Sequence, residues 1–291
     1  MAINDQAVIT AASGYVFVAS PGTIAPTPTQ LEAIDPETFG SQVNTLAVTG
    51  SPTASSSTFT VTVGTDTTDS IDLDATIAEI QAALEALDTV GAGNVLVAGG
   101  PLPGTSVTLT WVGKLQGKTL TVSATGTFTG GTSPAITAAV TTATNGWSTV
   151  GHTSRDEMPE FGFDGGDSEI KGTWQNAQLR KVQTEVPADF VTFQLHQWDQ
   201  LGLSLYYGPN ASATPGVFGF DGGVVEANEY ALLIIIVDGD NKVGFHASKA
   251  DVGRDDSVQT PVDEFASLPI KATFLKMPGR LLFSWISEAL L

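Results

Sequence analysis

Six carboxylate side chains lie within the stretch DEMPEFGFDGGDSEIKGTW, which covers residues 156–174 and closely follows His152. Carboxylates grouped in this way can bind a metal ion or supply the acid and base of a hydrolase. They can also line the solvated face of a strand. The spacing of the six residues discriminates among these interpretations; they are Asp156, Glu157, Glu160, Asp164, Asp167 and Glu169.

The spacing does not fit a metal site or an acid–base pair. Ligands alternate along a calcium loop after its first aspartate, but Gly166 and Ser168 occupy the alternate positions that follow Asp164. A hydrolase with two carboxylates would need a cleft with aromatic subsites, and the sequence locates none.

Residues 167–174 separate into two faces when they are placed on a strand. Asp167, Glu169, Lys171 and Thr173 share one face, and the other face holds Ile170, Gly172 and Trp174. This alternation predicts an amphipathic strand whose mainly acidic face meets water and whose Ile170 and Trp174 turn inward. The residues just before it are predicted to form a loop.

No other motif completes a catalytic or binding site. GKLQGKT, at 113–119, has three residues where a P-loop requires four between its glycines. DGDNKVG, at 238–244, fits a tight hairpin turn better than a calcium loop. His152, His196 and His246 are far apart in sequence and form no HExxH pair. We therefore predict no catalytic, metal-binding or cofactor-binding residues, no cofactor, and a protein that is not an enzyme.

The charge balance argues against nucleic-acid recognition. The 291-residue chain has 31 acidic and 12 basic residues, a formal net charge of −19, and no cysteine. A nucleic-acid-binding protein needs a basic surface, whereas an acidic surface repels phosphate and favours solubility. The longest apolar run, ALLIIIV at 231–237, is strand-sized and too short to span a membrane. The first residues lack the basic segment of a secretory signal.

Residues 42–144 differ in composition from the rest of the chain. They are rich in Thr, Ser, Gly and Ala, and linker-like stretches at 49–57 and 129–146 mark their edges. Residues 57–64 alternate as a strand does, and about 74–88 have the apolar spacing of a helix. Either Asp74 caps this helix or Thr76 and Glu79 form a capping box. Three strand-like runs follow, which predicts a small β-α-β-β-β unit.

The remaining sequence predicts mainly strands. Residues 189–197 alternate between apolar and polar, and 230–248 has the pattern of a hairpin that turns at Asp238–Asn241. A short helix is predicted within 198–208, with Trp198 on its apolar side. Two final strands are predicted at 268–276 and 280–287. Together these patterns favour a mainly β fold, a β-sandwich with little helix.

Residues 1–40 and 146–291 resemble the major tail protein, or tail tube protein, of phages with long non-contractile tails, particularly phages of actinobacteria. The resemblance is carried by SGYVFVASPGTIAPTP (13–28), by the run from GWSTVGH to FQLHQWD (146–199), and by LYYGPN (205–210), ALLIIIVDGDNKVGFHASKADVGRDD (231–256) and DEFASLPIKATFL (263–275). It implies a tail-tube-type β-sandwich with a short flanking helix, formed by 1–41 and 145–291. Residues 42–144 are then a small inserted α+β domain that faces outward.

The resemblance also implies a structural function in the tail of the virion, after synthesis in the host cytoplasm. Six copies would form a ring, and stacked rings would form a tube with a continuous β-barrel around a lumen. DNA would pass through this lumen without specific binding. The implied partners are further copies of the chain and the tape-measure, tail-terminator and tail-tip proteins, but no membrane. The inserted domain would decorate the exterior and contact the host surface weakly. The alternative is a free-standing glycan-binding or adhesin-like β protein.

Overall fold

The computed structural model describes residues 8–222 and 227–290. Three α-helices lie in this part of the chain: α1 (Pro28–Ala33), α2 (Ile77–Glu85) and α3 (Gln200–Tyr207). Its strands are β1 (Ser13–Ala19), β2 (Val43–Thr49), β3 (Thr58–Val63), β4 (Asp66–Thr67), β5 (Ile71–Asp72), β6 (Val95–Gly99), β7 (Val107–Trp111), β8 (Val122–Thr127), β9 (Ala135–Thr142), β10 (Ser148–Thr149), β11 (Glu160–Asp164), β12 (Ser168–Lys171), β13 (Arg180–Gln183), β14 (Ala188–Leu195), β15 (Glu229–Asp238), β16 (Asn241–Arg254), β17 (Leu268–Phe274) and β18 (Phe283–Ile286).

The mainly β fold is confirmed, and the chain divides into two compact units. The first unit consists of residues 1–33 and 150–291, and the second unit is residues 34–149. The segment 42–144 that composition singles out lies inside the second unit; its outward orientation stays a prediction. Among the described residues, no helix has both the length and the apolarity that a membrane crossing requires.

The first unit is built on one antiparallel sheet with the strand order β1–β15–β16–β17–β14–β11. The long strand β16 also pairs with β18, through residues 244–247, and with β17 through residues 250–254. Residues 231–235 of β15 are buried one after another, because both faces of this strand are covered. The predicted turn at Asp238–Asn241 is confirmed, since these two residues close the β15–β16 hairpin.

The predicted short helix is confirmed as α3, but its boundary excludes Trp198. Asp199 caps the helix, because its Oδ1 accepts a hydrogen bond of 2.8 Å from the backbone N–H of Gly202. Trp198 therefore precedes the helix and is not part of its apolar side. Leu205 is buried in the core of the first unit, as predicted from the helical spacing.

The second unit has its own core between two four-stranded sheets. One sheet has the order β6–β7–β2–β9, and in the other β3 pairs with β4 and β5 on one side and with β8 on the other. The alternation predicted for 57–64 is confirmed, because Phe59, Val61 and Val63 are buried. Trp111 is also buried, and its indole N–H donates a hydrogen bond of 2.9 Å to Oδ1 of Asn44.

The prediction of a linker at 129–146 is wrong for its central part. Residues 135–142 form strand β9, which pairs along most of its length with β2. Ile136 faces the core and is buried, while most other side chains of β9 are small and exposed. A strand made mainly of alanine and threonine has the composition of a flexible linker, so composition alone did not reveal that β9 is a strand. The β-α-β-β-β description of this segment was therefore incomplete.

Helix α2 begins with the capping box, not with Asp74. The hydroxyl of Thr76 accepts a hydrogen bond of 3.3 Å from the N–H of Glu79, and the Glu79 carboxylate accepts one of 2.8 Å from the N–H of Thr76. The bond from the Thr76 N–H, and a further one of 2.9 Å that the Thr76 hydroxyl donates to the same carboxylate, favour the ionised form and lower the pKa of Glu79.

We expect the Thr76→Ala variant to weaken α2. The substitution removes the acceptor for the Glu79 amide, and lost helix caps cost about 1 kcal/mol. Hydrogen exchange of the α2 amides should show this loss in the free energy of opening. Thr76→Ser keeps the hydroxyl and should exchange as the native chain does. Equal exchange in the Ala and Ser variants would contradict the role of the cap.

His246 is the buried histidine of the first unit. It lies on β16, and its Nε2 is 3.1 Å from the carbonyl oxygen of Thr23, which can only accept a hydrogen bond. Burial lowers the pKa of His246 and the charge of Arg280 adds to this effect, although the hydrogen bond to Thr23 opposes it. Folding therefore favours the neutral form of this imidazole.

The stability of the first unit should fall as the pH drops below about 6.5, the ordinary pKa of histidine. The unfolded chain then takes up a proton more readily than the folded chain, so the contribution of His246 is fully present above that pH and is lost below it. Thermal unfolding between pH 8 and pH 5 measures the effect. His246→Gln can still donate to Thr23 and should flatten the profile; an unchanged slope would argue against this histidine.

Candidate functional site

The structure does not gather the six carboxylates of 156–174 into one site. Residues 160–164 form strand β11, where a loop was predicted, and this strand pairs with β14. Residues 168–171 form β12, which pairs with β13 in a separate two-stranded sheet. Within residues 8–222 and 227–290, no group of three or more acidic or histidine side chains could hold a metal ion.

The prediction that Ile170 and Trp174 turn inward is wrong. Ile170 is 56% exposed and Trp174 is 99% exposed, and the strand ends at Lys171. Alternation shows that two faces differ, but it does not show whether another layer covers the apolar one. Among the described residues, neither side chain belongs to a hydrophobic core cluster.

We define the hairpin arm as residues 165–187, which contain β12, β13 and the turn between them. Its base is held by Thr184, whose backbone N–H and hydroxyl both donate to the carbonyl oxygen of Asp167, at 2.8 Å and 3.0 Å. In the turn, the N–H of Thr173 donates to the carbonyl of Asn176 at 2.7 Å. A side chain at Gly172 would lie 2.2 Å from the Ala177 oxygen, so this position needs glycine.

The hairpin arm has little to stabilise it within one chain. All four residues of β12 are exposed, as are three of the four residues of β13. A two-stranded hairpin by itself is marginally stable in water, because it has no second layer on which to bury side chains. The arm nonetheless displays several large apolar side chains, namely Ile170, Trp174, Leu179 and Val186. This combination is typical of a segment that a partner covers.

The charge of the arm contrasts with the rest of the molecule. The arm carries three of the twelve basic residues but only three of the thirty-one acidic ones. Lys171 pairs with Glu169 on the same strand. Arg180 and Lys181 are exposed and form no ion pair with any described residue. The arm therefore presents unpaired positive charge on a strongly acidic protein.

The arm leaves the sheet at the strand β11, which has a partner on one side only among the described strands. Asp164, the last residue of β11, accepts a hydrogen bond of 2.6 Å from the Lys271 ammonium. The same ammonium lies 3.9 Å from the centre of the Phe190 ring. These contacts tie β11 to β14 and β17, so the base of the arm is fixed even though its tip is exposed.

A cluster of aromatic rings lies beside β11. The Phe161 ring is 4.6 Å from that of Phe245 and 5.0 Å from that of Trp285. Trp285 remains 42% exposed, and Phe283 is also partly exposed. Partly exposed aromatic side chains are enriched at protein–protein interfaces. The first unit thus has an unpaired strand edge at β11, aromatic rings packed against Phe161 of that strand, and the hairpin arm directly after it in sequence.

The other residues considered from sequence have structural surroundings. His196 Nδ1 is 3.2 Å from the carbonyl oxygen of Ala266. The backbone N–H of His152 donates a hydrogen bond to the side-chain oxygen of Gln197. Residues 113–115 form a 3₁₀ turn in which the N–H of Lys114 donates to Asn94. Sequence reasoning missed Arg180 and Lys181, although two adjacent basic residues in so acidic a chain were a usable signal.

The sequence of this chain matches those of known proteins. The family model described as phage tail tube protein matches residues 1–77 and 119–291. The chain belongs to the phage tail tube protein family. The unmatched stretch of this tail tube protein, 78–118, covers most of α2 together with β6 and β7. Residues 42–77 and 119–144, which were predicted to belong to an insertion, do match the family.

Two curated relatives are both described as major tail protein Gp23. The protein of Mycobacterium phage D29 is 38% identical over 290 residues, which cover 100% of this tail tube protein and 96% of the relative. The protein of Mycobacterium phage L5 is 54% identical over 149 residues, 51% of this chain and 74% of the relative. A solved chain from Mycobacterium phage Patience aligns at 18% identity over 35% of this chain and 37% of its own length, with a TM-score of 0.25, too low to support an argument.

Proposed function

We propose that this protein is the major tail protein of a tailed phage, and that six copies form each ring of a stacked tail tube. Membership in the tail tube protein family and the relatives described as major tail proteins support a structural role in the virion tail. The hexameric ring and the channel for DNA delivery extend that role. They follow from the resemblance and agree with the surfaces of the first unit.

The hairpin arm is the observation that carries the proposal. An exposed two-stranded sheet with unburied apolar side chains gains stability when a neighbouring copy covers it. Strand β11, which leads into the arm, pairs with a described strand on one edge only. Its other edge is open, and an open edge is a template for pairing with another chain. Closing the sheets of neighbouring copies into one barrel removes such edges.

Electrostatics favour the same contact. Each copy has a formal net charge of −19, so copies repel one another over most of their surface. Arg180 and Lys181 of one arm can offset this repulsion where they meet an acidic surface of the next copy. The arm thus supplies both apolar area and complementary charge.

The acidic charge also suits a channel for DNA. A lumen lined by acidic side chains repels phosphate, so DNA slides through it without specific binding. No nucleic-acid-binding surface is required, and the role needs no cofactor or catalytic residue. The further partners in this proposal are the tape-measure, tail-terminator and tail-tip proteins, and the site of action is the virion tail.

The second unit projects outward from the tube in this proposal and contacts the host surface weakly. It has a hydrophobic core of its own, which supports a folded body that is separable from the first unit. Repetition along a tail would multiply a weak contact through avidity.

We expect Arg180→Glu combined with Lys181→Glu to prevent tube assembly while the monomer stays folded. The change replaces attraction by repulsion between each arm and an acidic neighbour, and like charges brought together at an interface cost several kcal/mol. Negative-stain images and sedimentation measure the outcome. Lys114→Glu with Lys118→Glu changes the net charge equally in the second unit and should still give tubes. Normal tubes from the arm variant would refute this contact.

Deletion of residues 42–144 should leave tubes that still assemble but are thinner in electron micrographs. The hairpin arm and the open edge of β11, on which the proposed ring contact rests, belong to the first unit, whose core includes no residue of the deleted segment. A folded, soluble monomer that forms no tubes would show instead that the deleted segment is essential for the ring. Discrete particles from the native chain as well would favour the glycan-binding or adhesin-like alternative.

A further inference from the structure

The charges of the second unit are confined to one part of its sequence. Within residues 42–144, all seven acidic side chains lie between positions 66 and 88, and the two basic ones are Lys114 and Lys118. Residues 42–65, 89–113 and 119–144 contain no charged side chain at all. Protein surfaces ordinarily mix charges of both signs, so an uncharged region of this size is unusual.

These uncharged stretches include all four strands of one sheet and therefore its whole outer side. In the order β6–β7–β2–β9, the registers place alternate side chains on a common outward face. We call this the neutral face; it includes Leu96, Ala98, Thr108, Thr45, Ala139 and Thr137. None of these six side chains is buried, and Leu96 is 47% exposed. Their sequence neighbours Leu46, Val107 and Leu109 point the other way, into the core.

The strand β9 gives the neutral face an unprotected border. It forms a ladder with β2 on one side, and no described strand forms a ladder with its other side, although β8 lies near it. Proteins that stay monomeric usually protect such a strand with a charge or a proline. The eight residues of β9, AITAAVTT, contain neither.

We propose that the neutral face contacts a second copy of this chain in the assembled tail. This inference rests on the proposed function, because the tube brings copies together at a fixed spacing. With a net charge of −19 on each copy, an uncharged surface is where two copies approach with the least repulsion. Interface cores are likewise depleted in charged residues.

Other occupants fit the neutral face less well. A phosphate-bearing partner would meet no cation on it. A polysaccharide usually stacks on aromatic rings, but the aromatic residue of β7, Trp111, is buried on the opposite side of the sheet. A second copy requires only a matching uncharged surface, and every copy in the tube supplies one.

The absence of cysteine allows a direct test in the full chain. Ala139→Cys and Ala98→Cys place a thiol on the neutral face, and Ala82→Cys places one on an exposed position of α2 as a matched control. Each variant is treated with a maleimide-linked polyethylene glycol, first as the unassembled subunit and then as tubes formed from the purified chain alone. In such tubes, only another copy can cover the thiol.

We expect assembly to slow the labelling of Cys at positions 139 and 98 by roughly tenfold or more, because thiol reactivity requires access. Labelling at position 82 should change by less than about twofold. Tubes in which the neutral face is labelled as fast as in the subunit would overturn this inference alone, and equal protection at position 82 would do the same. Failure to form any tubes would overturn it together with the proposed function.

Discussion

The antiparallel pairing of β15 with β1 and β16 is the interaction on which the first unit depends. Five consecutive residues of β15, 231–235, are buried, which places this strand in the centre of the sheet. Strand β16 is long enough to pair with β17 at one end and β18 at the other. The remaining strands follow from β17 through β14 to β11. The open edge and the hairpin arm therefore lie at the far end of a rigid framework.

That arrangement separates stability from assembly. Buried apolar side chains hold the sheet together, whereas the hairpin arm contributes almost no burial within one chain. A segment of this kind is free to fold against a neighbour without weakening the subunit that carries it. The neutral face of the second unit can likewise be covered by a neighbour at little cost, because it carries no charged side chain that would lose its hydration. In the proposed tube, both surfaces would gain stability when copies of the protein meet.

The sequence predicted the elements that depend on local patterns. The β15–β16 hairpin combines an apolar run with turn residues, and α2 has both helical spacing and a capping box. It could not predict that Ile170 and Trp174 are exposed, because burial depends on a layer from elsewhere in the chain. Strand β9 was missed because alanine and threonine occur equally in linkers and in exposed strands. The family was recognisable from residue patterns spread over many positions, which a search for short motifs does not detect.

The central claim is that copies of this protein associate through the first unit into a tube with an axial channel. Cryo-electron microscopy of the purified native chain, with helical reconstruction, tests it most directly. The account predicts rings of six copies, an acidic lumen, and hairpin arms that are covered by neighbouring copies. Discrete particles would contradict it, as would a tube whose arms remain exposed to solvent or whose lumen is basic.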